Sequence, residues 1–189
     1  MPGLYQHGDF DLAGFAVGVV EEKKIISGNK VKPGHAIIGV ASSGIHSNGF
    51  SYVRKVLNRE FMLEHAEEIL KPTKIYVKSV LALLTKEEVF SMAHVTGGGF
   101  FDNIPRVLPK GCGAKIQTGS WTTPRVFKWI QEAGNASTRE MYRTFNMGIG
   151  FLLVVPKECA QKVVNHFAKF DERAWVIGEI VKGEGVVVQ

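Results

Sequence analysis

"HVTGGGFFDNIPRVLP" spans His94 to Pro109 and places three consecutive glycines between two apolar stretches. The stretch before them, "VFSMAHV" (89–95), reads as a strand, and "FFDNIPRVL" (100–108) reads as a short helix. A glycine inside a helix or strand costs roughly 0.5–1 kcal/mol relative to alanine, so a run of three needs a geometric cause. Either the backbone turns sharply there, or another group approaches it closely. A strand that feeds a helix through such a loop is the repeating step of a layered fold of helices and strands.

The same alternation continues outward in both directions. Upstream, "DLAGFAVGVVEE" (11–22) is a near-continuous apolar run that predicts a buried strand. "SGNKVKPGH" (27–35) carries turn residues throughout and is the best linker candidate, and "AIIGVAS" (36–42) predicts a second buried strand. "FSYVRKVLNREF" (50–61) has helical spacing, and "PTKIYVKSVLALLTKEE" (72–88) predicts another helix with Pro72 at or just before its start. Downstream, "AKIQ" (114–117) predicts a strand, and "TPRVFKWIQEAG" (123–134) a helix closed by Gly134. "TREMYRTF" (138–145) predicts a short helix, "GIGFLLVVP" (148–156) a buried strand, and "KECAQKVVNHFAKF" (157–170) an amphipathic helix. "AWVIGEIVKG" (174–183) and "GVVVQ" (185–189) predict a hairpin-like pair of strands. The expected fold class is α+β in α/β layers.

Composition narrows the function classes. The chain has 189 residues, 45% hydrophobic and 22% charged, enough for one sizeable core. No run of roughly 20 apolar residues marks a membrane span, and the start lacks a basic segment leading into an apolar one, so the expected location is cytoplasmic with no membrane partner. Cys112 and Cys159 lack the spacing of a disulfide framework or a metal cluster, so no metal site is expected. A net charge of +5 favours anionic ligands, but the basic residues are scattered and form no stripe of the kind that binds nucleic acid.

Three glycine-bearing stretches fall at strand ends, where open α/β sheets bind ligands. "SSGIHSNG" (42–49) offers Ser43, His46, Ser47 and Asn48 as short polar groups; the alternative is a loop in which Ser47 or Asn48 caps the next helix. Thr96, Gly97, Gly98 and Gly99 would expose successive backbone N–H groups at a helix start, suited to phosphate; the alternative is a tight turn against a neighbouring helix. "MYRTFNMGIG" (141–150) offers Arg143 and Asn146; the alternative is a helix end with an exposed arginine. His46 and His94 are candidates for proton transfer, or are hydrogen-bonded structural histidines.

Taken in order, "MPGLY", "DLAGFAVGVVE", "ASSGIHSNGFSYVRKVL", "PTKIYVKSVL", "AHVTGGGFFDNIPRVLP", "MYRTFNMGIG" and "AWVIGEI" resemble the carboxy-terminal half of the phosphoribosylformylglycinamidine cyclo-ligases, also called aminoimidazole ribonucleotide synthetases. The resemblance covers essentially the whole chain. It implies a mixed, largely antiparallel sheet flanked by helices. It also implies ATP-dependent closure of formylglycinamidine ribonucleotide to aminoimidazole ribonucleotide in purine biosynthesis, with ATP and Mg2+ as cofactors and a homodimer as the assembly. On this resemblance residues 1–26 are the last strand and tail of an amino-terminal ATP-binding domain, and residues 27–189 are the C-terminal domain, which alone is expected to be inactive. His46 and His94 become the catalytic candidates, and Ser43, Ser47, Asn48, Thr96, Gly97, Gly98, Gly99 and Asn146 the substrate- and phosphate-binding ones. Two rivals stand beside it: a non-catalytic domain that binds a phosphorylated ligand, and another ATP-dependent enzyme of the same superfamily.

Overall fold

The computed structural model describes residue 8 and residues 13–189. Its strands are β1 (Ala36–Ala41), β2 (Ser91–His94), β3 (Cys112–Ile116), β4 (Ile149–Val155), β5 (Ala174–Lys182) and β6 (Val186–Val188). They form one sheet in the order β2-β4-β1-β5-β3-β6, antiparallel except for the parallel pair β3–β6. Helices α1 (Phe50–Val56), α2 (Arg59–Glu64), α3 (Ala66–Ile69), α4 (Val77–Leu84), α5 (Gly99–Asn103), α6 (Arg125–Gly134), α7 (Thr138–Thr144) and α8 (Ala160–Ala168) flank it. The mixed, largely antiparallel sheet with flanking helices is the one expected.

Every residue of β1 is buried, because both faces of this central strand are covered. Ile37 points into one core with Phe100, Phe127, Ile130 and Met141 from α5, α6 and α7. Ile38 and Val40 enter a second core with Val80 and Leu83 of α4 and Val163 and Phe167 of α8. A strand buried on both faces reads as the unbroken apolar run seen in its sequence.

The elements depart from expectation at five places. The helix expected over 50–61 breaks after Val56, because Asn58 turns its side chain to accept the Phe61 N–H at 2.8 Å and starts α2. The helix expected from Pro72 begins only at Val77, since tertiary hydrogen bonds hold residues 72–76 outside any helix. Gly134 is the last residue of α6 rather than its cap; Asn135, at φ +46°, closes the helix, and Gly134 leaves room for the Tyr52 hydroxyl. β5 and β6 do not pair with each other, because the chain crosses over Gly113 and sets β6 on the far side of β3. No strand forms over 13–22: residues 13–20 are exposed and unpaired, and Glu22–Lys24 is one turn of 3-10 helix, while Asp11 and Leu12 lie outside the described residues. The linker candidate does turn, at Gly28 and Gly34, but it is packed down, with Val31 buried.

Candidate functional site

Three stretches converge beside the end of β2. They are the 42–49 loop after β1, the extended 72–76 segment before α4, and the 94–99 turn. Their meeting point is a triangle of rings: His46, Tyr76 and His94, with centroids 5.9–6.3 Å apart. Gly150 on β4 lies beneath it, where a Cβ would come within 2.1 Å of the Tyr76 hydroxyl and 2.5 Å of His46 Cε1. Only a strand glycine lets both rings lie so close to the sheet.

His46 sits at φ +64° and is buried. Its Nε2 accepts the Ser43 N–H at 3.2 Å and the Lys74 N–H at 3.5 Å, so the ring is neutral with its proton on Nδ1, which has no partner among the described residues. Burial, then the neighbouring His94 and Lys74, push its pKa down from 6.5 to about 4. The unfolded chain takes up a proton on this ring near pH 6.5 and the folded chain only near pH 4. Its contribution to stability is therefore complete above pH 6.5 and is lost as pH falls toward 4. We expect urea unfolding to show roughly 2 kcal/mol of such loss, after allowance for solvent screening, absent in His46→Asn, a residue that tolerates the same backbone region. An equal loss in both proteins would remove His46 as the cause.

Ser43 and Ser47 of the first loop also bond to protein groups. Ser43 Oγ donates to the Pro72 carbonyl at 2.6 Å, and the Ser47 and Thr73 hydroxyls are 3.0 Å apart. Neither Ser47 nor Asn48 caps α1, whose N-cap is Gly49. Asn146 is buried and holds the loop from below: its Nδ2 donates to the Gly44 and Ile45 carbonyls at 2.9 and 3.0 Å, and its Oδ1 accepts the Gly148 N–H at 2.8 Å. Arg143 is exposed near the end of α7, as its structural alternative required.

The triple glycine resolves into separate cases. Gly99, at φ +54°, lies so close to α7 that a Cβ would be 2.1 Å from the Tyr142 carbonyl oxygen. Gly98, at φ +87°, has the exposed Asp102 carboxylate where a side chain would go. The Gly99 N–H is taken by the Thr96 carbonyl at 3.0 Å, so the expected row of free N–H groups is not formed through Gly99. Gly97 is open except for Asn48, whose Oδ1 lies 3.3 Å from a would-be Cβ. Asn103, which sequence reasoning missed, fixes the turn by donating to the carbonyls of Thr96, Gly97 and Gly99 and accepting the Thr96 hydroxyl.

His94 remains solvent-accessible at the strand end, its pKa lowered by partial burial beside Phe151. It borders a groove of about 370 Å3 whose other walls include Lys74, Tyr76, Val80, Met92 and Phe151. A mostly apolar groove with two polar groups at its margin suits a ring-bearing ligand that also carries charge. The apolar spacing assigns Lys74 and Tyr76 to a helix; the one sequence signal against it is Pro72, two positions before Lys74.

The family model of the AIR synthase related protein, C-terminal domain, matches residues 32–189. A phosphoribosylformylglycinamidine cyclo-ligase of Bacillus cytotoxicus is 52% identical over 197 residues, which cover 98% of this chain and 57% of that protein. The chain thus spans little more than half the length of the curated relatives it matches. Among solved structures, E. coli HypE, a hydrogenase maturation protein, superposes with a TM-score of 0.62 at 18% identity, over 85% of this chain and 48% of that one. Thermotoga maritima PurL complexed with ATP gives 0.59 at 15% identity, over 91% of this chain and 26% of that one. At such identities the likeness is one of fold.

Proposed function

We propose, because this chain belongs to the AIR synthase related family as its C-terminal domain, that it is the carboxy-terminal part of an ATP-dependent cyclo-ligase. The enzyme converts formylglycinamidine ribonucleotide to aminoimidazole ribonucleotide with release of ADP and phosphate. The 52% identity over 98% of the chain to a protein named for that activity carries the reading. Residues 27–189 are then the C-terminal domain. Residues 1–26 go with an amino-terminal part that contributes most of the ATP site and the interface of a cytoplasmic homodimer. No described helix is long and apolar enough to cross a membrane.

ATP, when bound, supplies the phosphoryl group that makes the formamide oxygen a leaving group. This chain supplies position and proton handling. The nitrogen that closes the ring must lose a proton, and an imidazole nitrogen of His94, neutral near pH 7 and open to the groove, is placed to take it. His46, buried and with its Nε2 already accepting, is a positioning residue instead. Asn48 and Gly97, where the two loops meet, present the surface left for the ribonucleotide. Magnesium, when it accompanies ATP, would bring its own charge to the phosphates.

In the full-length enzyme, assayed by formation of the aminoimidazole, His94→Ala should lower turnover on the order of 100-fold while leaving the urea midpoint unchanged. Turnover within threefold of wild type would exclude His94 as the proton acceptor. A wild-type enzyme that makes no aminoimidazole from formylglycinamidine ribonucleotide and ATP would overturn the activity itself.

A further inference from the structure

Lys74 differs from every other paired cation among the described residues. In the four other ion pairs the basic side chain is at least 65% exposed, whereas that of Lys74 is 24% exposed. Its Nζ stands 3.9 Å from Glu172 Oε2, too far for a hydrogen bond, and 5.6 Å from the centre of the Tyr76 ring. No acceptor among the described residues takes any of its three N–H groups. Its ammonium is therefore open to a ligand from the groove, with its N–H groups uncommitted to protein acceptors.

Protein groups hold it from two directions. Glu172 is itself covered and accepts the Ser79 hydroxyl at 3.0 Å, so the carboxylate draws the ammonium without wrapping it. The chain around Lys74 is stitched to the first loop by three hydrogen bonds, Ser43 to Pro72, Ser47 to Thr73 and the Lys74 N–H to His46, and to the end of β1 by a fourth, the Tyr76 hydroxyl to the Ala41 carbonyl at 2.8 Å. The polar side chains of the loop thus converge on one segment. That segment presents one charge to the groove.

We propose that Lys74 is the cation with which this half meets an anionic oxygen of the ligand, and that Ser43, His46 and Ser47 are positioning residues that act through it. This deepens the cyclo-ligase reading and rests on it. The ligand chemistry is a phosphate group next to a ring: the ammonium takes the phosphate as a compact point charge, and Tyr76 and Phe151, packed against each other with centres 5.3 Å apart, form one aromatic wall of the groove. In that reaction the phosphate monoester of the ribonucleotide and the triphosphate of ATP share this chemistry.

The test is steady-state kinetics of the full-length enzyme with Lys74→Met and Lys74→Arg, varying each substrate in turn. Lys74→Met should raise the KM for the ribonucleotide at least tenfold with kcat within threefold, and Lys74→Arg should restore most of it. The same rise confined to ATP would keep Lys74 as the cation and assign it to the triphosphate. Ser47→Ala should raise the same KM less, and should add nothing in the Lys74→Met background. Both KM values within threefold of wild type in Lys74→Met would overturn the proposal. Should the wild type fail to make aminoimidazole, the assignment is read separately on this chain, by the NMR signal of the Lys74 side-chain Cε in a titration with ribose 5-phosphate. A saturable shift that ribose does not produce supports it, and no shift overturns it.

Discussion

Gly99→Ala should destabilise the protein by roughly 4 kcal/mol, whereas Gly97→Ala, two residues away, should stay within about 0.5 kcal/mol of wild type. At Gly99 two penalties coincide. The backbone is left-handed at φ +54°, and the new methyl group would meet the Tyr142 carbonyl oxygen at 2.1 Å. That oxygen is backbone of α7, so relief requires moving one helix from another, and Phe100, fully buried one residue on, would move with it. At Gly97 the φ is unrestricted and the nearest atom is the end of the Asn48 side chain at 3.3 Å. Urea unfolding of the two variants measures the difference directly. Equal stabilities would mean that the glycine run serves a single purpose. A stable Gly97→Ala variant with weakened ribonucleotide binding would place the ligand at the first glycine alone.

Asn146→Ala should cost roughly 3–5 kcal/mol. The side chain is 3% exposed and makes three hydrogen bonds: two to carbonyls of the 42–49 loop and one to the Gly148 N–H. Truncation leaves the Ile45 carbonyl and the Gly148 N–H without those partners, while the Gly44 carbonyl keeps the Ser42 hydroxyl, and each unsatisfied buried group costs about 1–3 kcal/mol. Because Asn146 was expected to bind substrate, the measurement separates two roles. Loss of stability with a raised KM fits a residue that holds the loop. Unchanged stability with lost binding would return it to the ligand.

The sequence made the strands legible where one-dimensional pattern suffices. β1 and β4 are apolar runs because both of their faces are covered, and α8 keeps its apolar residues on one side. It made the loops of the site legible as clusters of glycine and short polar residues. What each side chain does there was not legible, since Ser43, His46 and Ser47 find their partners 26–29 residues further along, at Pro72, Lys74 and Thr73. Periodicity carries no information about such pairings. The same contacts hold residues 72–76 out of the helix that their composition suggested, and that is why Lys74 was overlooked. Asn58 and Asn135 moved helix ends by local hydrogen bonding and left-handed backbone, effects within a turn or two of the chain that apolar spacing does not register.

The strand order has a kinetic consequence. The five pairings are β1 with β4, β1 with β5, β2 with β4, β3 with β5, and β3 with β6. Each has at least one member within residues 149–188. When the chain has emerged from the ribosome only as far as Gly148, three of the described strands are out, β1, β2 and β3, and no two of them belong side by side. The contacts that reward loop closure arrive last and join residues 57 to 143 positions apart, the arrangement that makes folding slow. Until Ile149 and its successors emerge, β1 is an apolar strand with neither of its sheet neighbours, so protection from aggregation during synthesis depends on how quickly residues 149–182 follow.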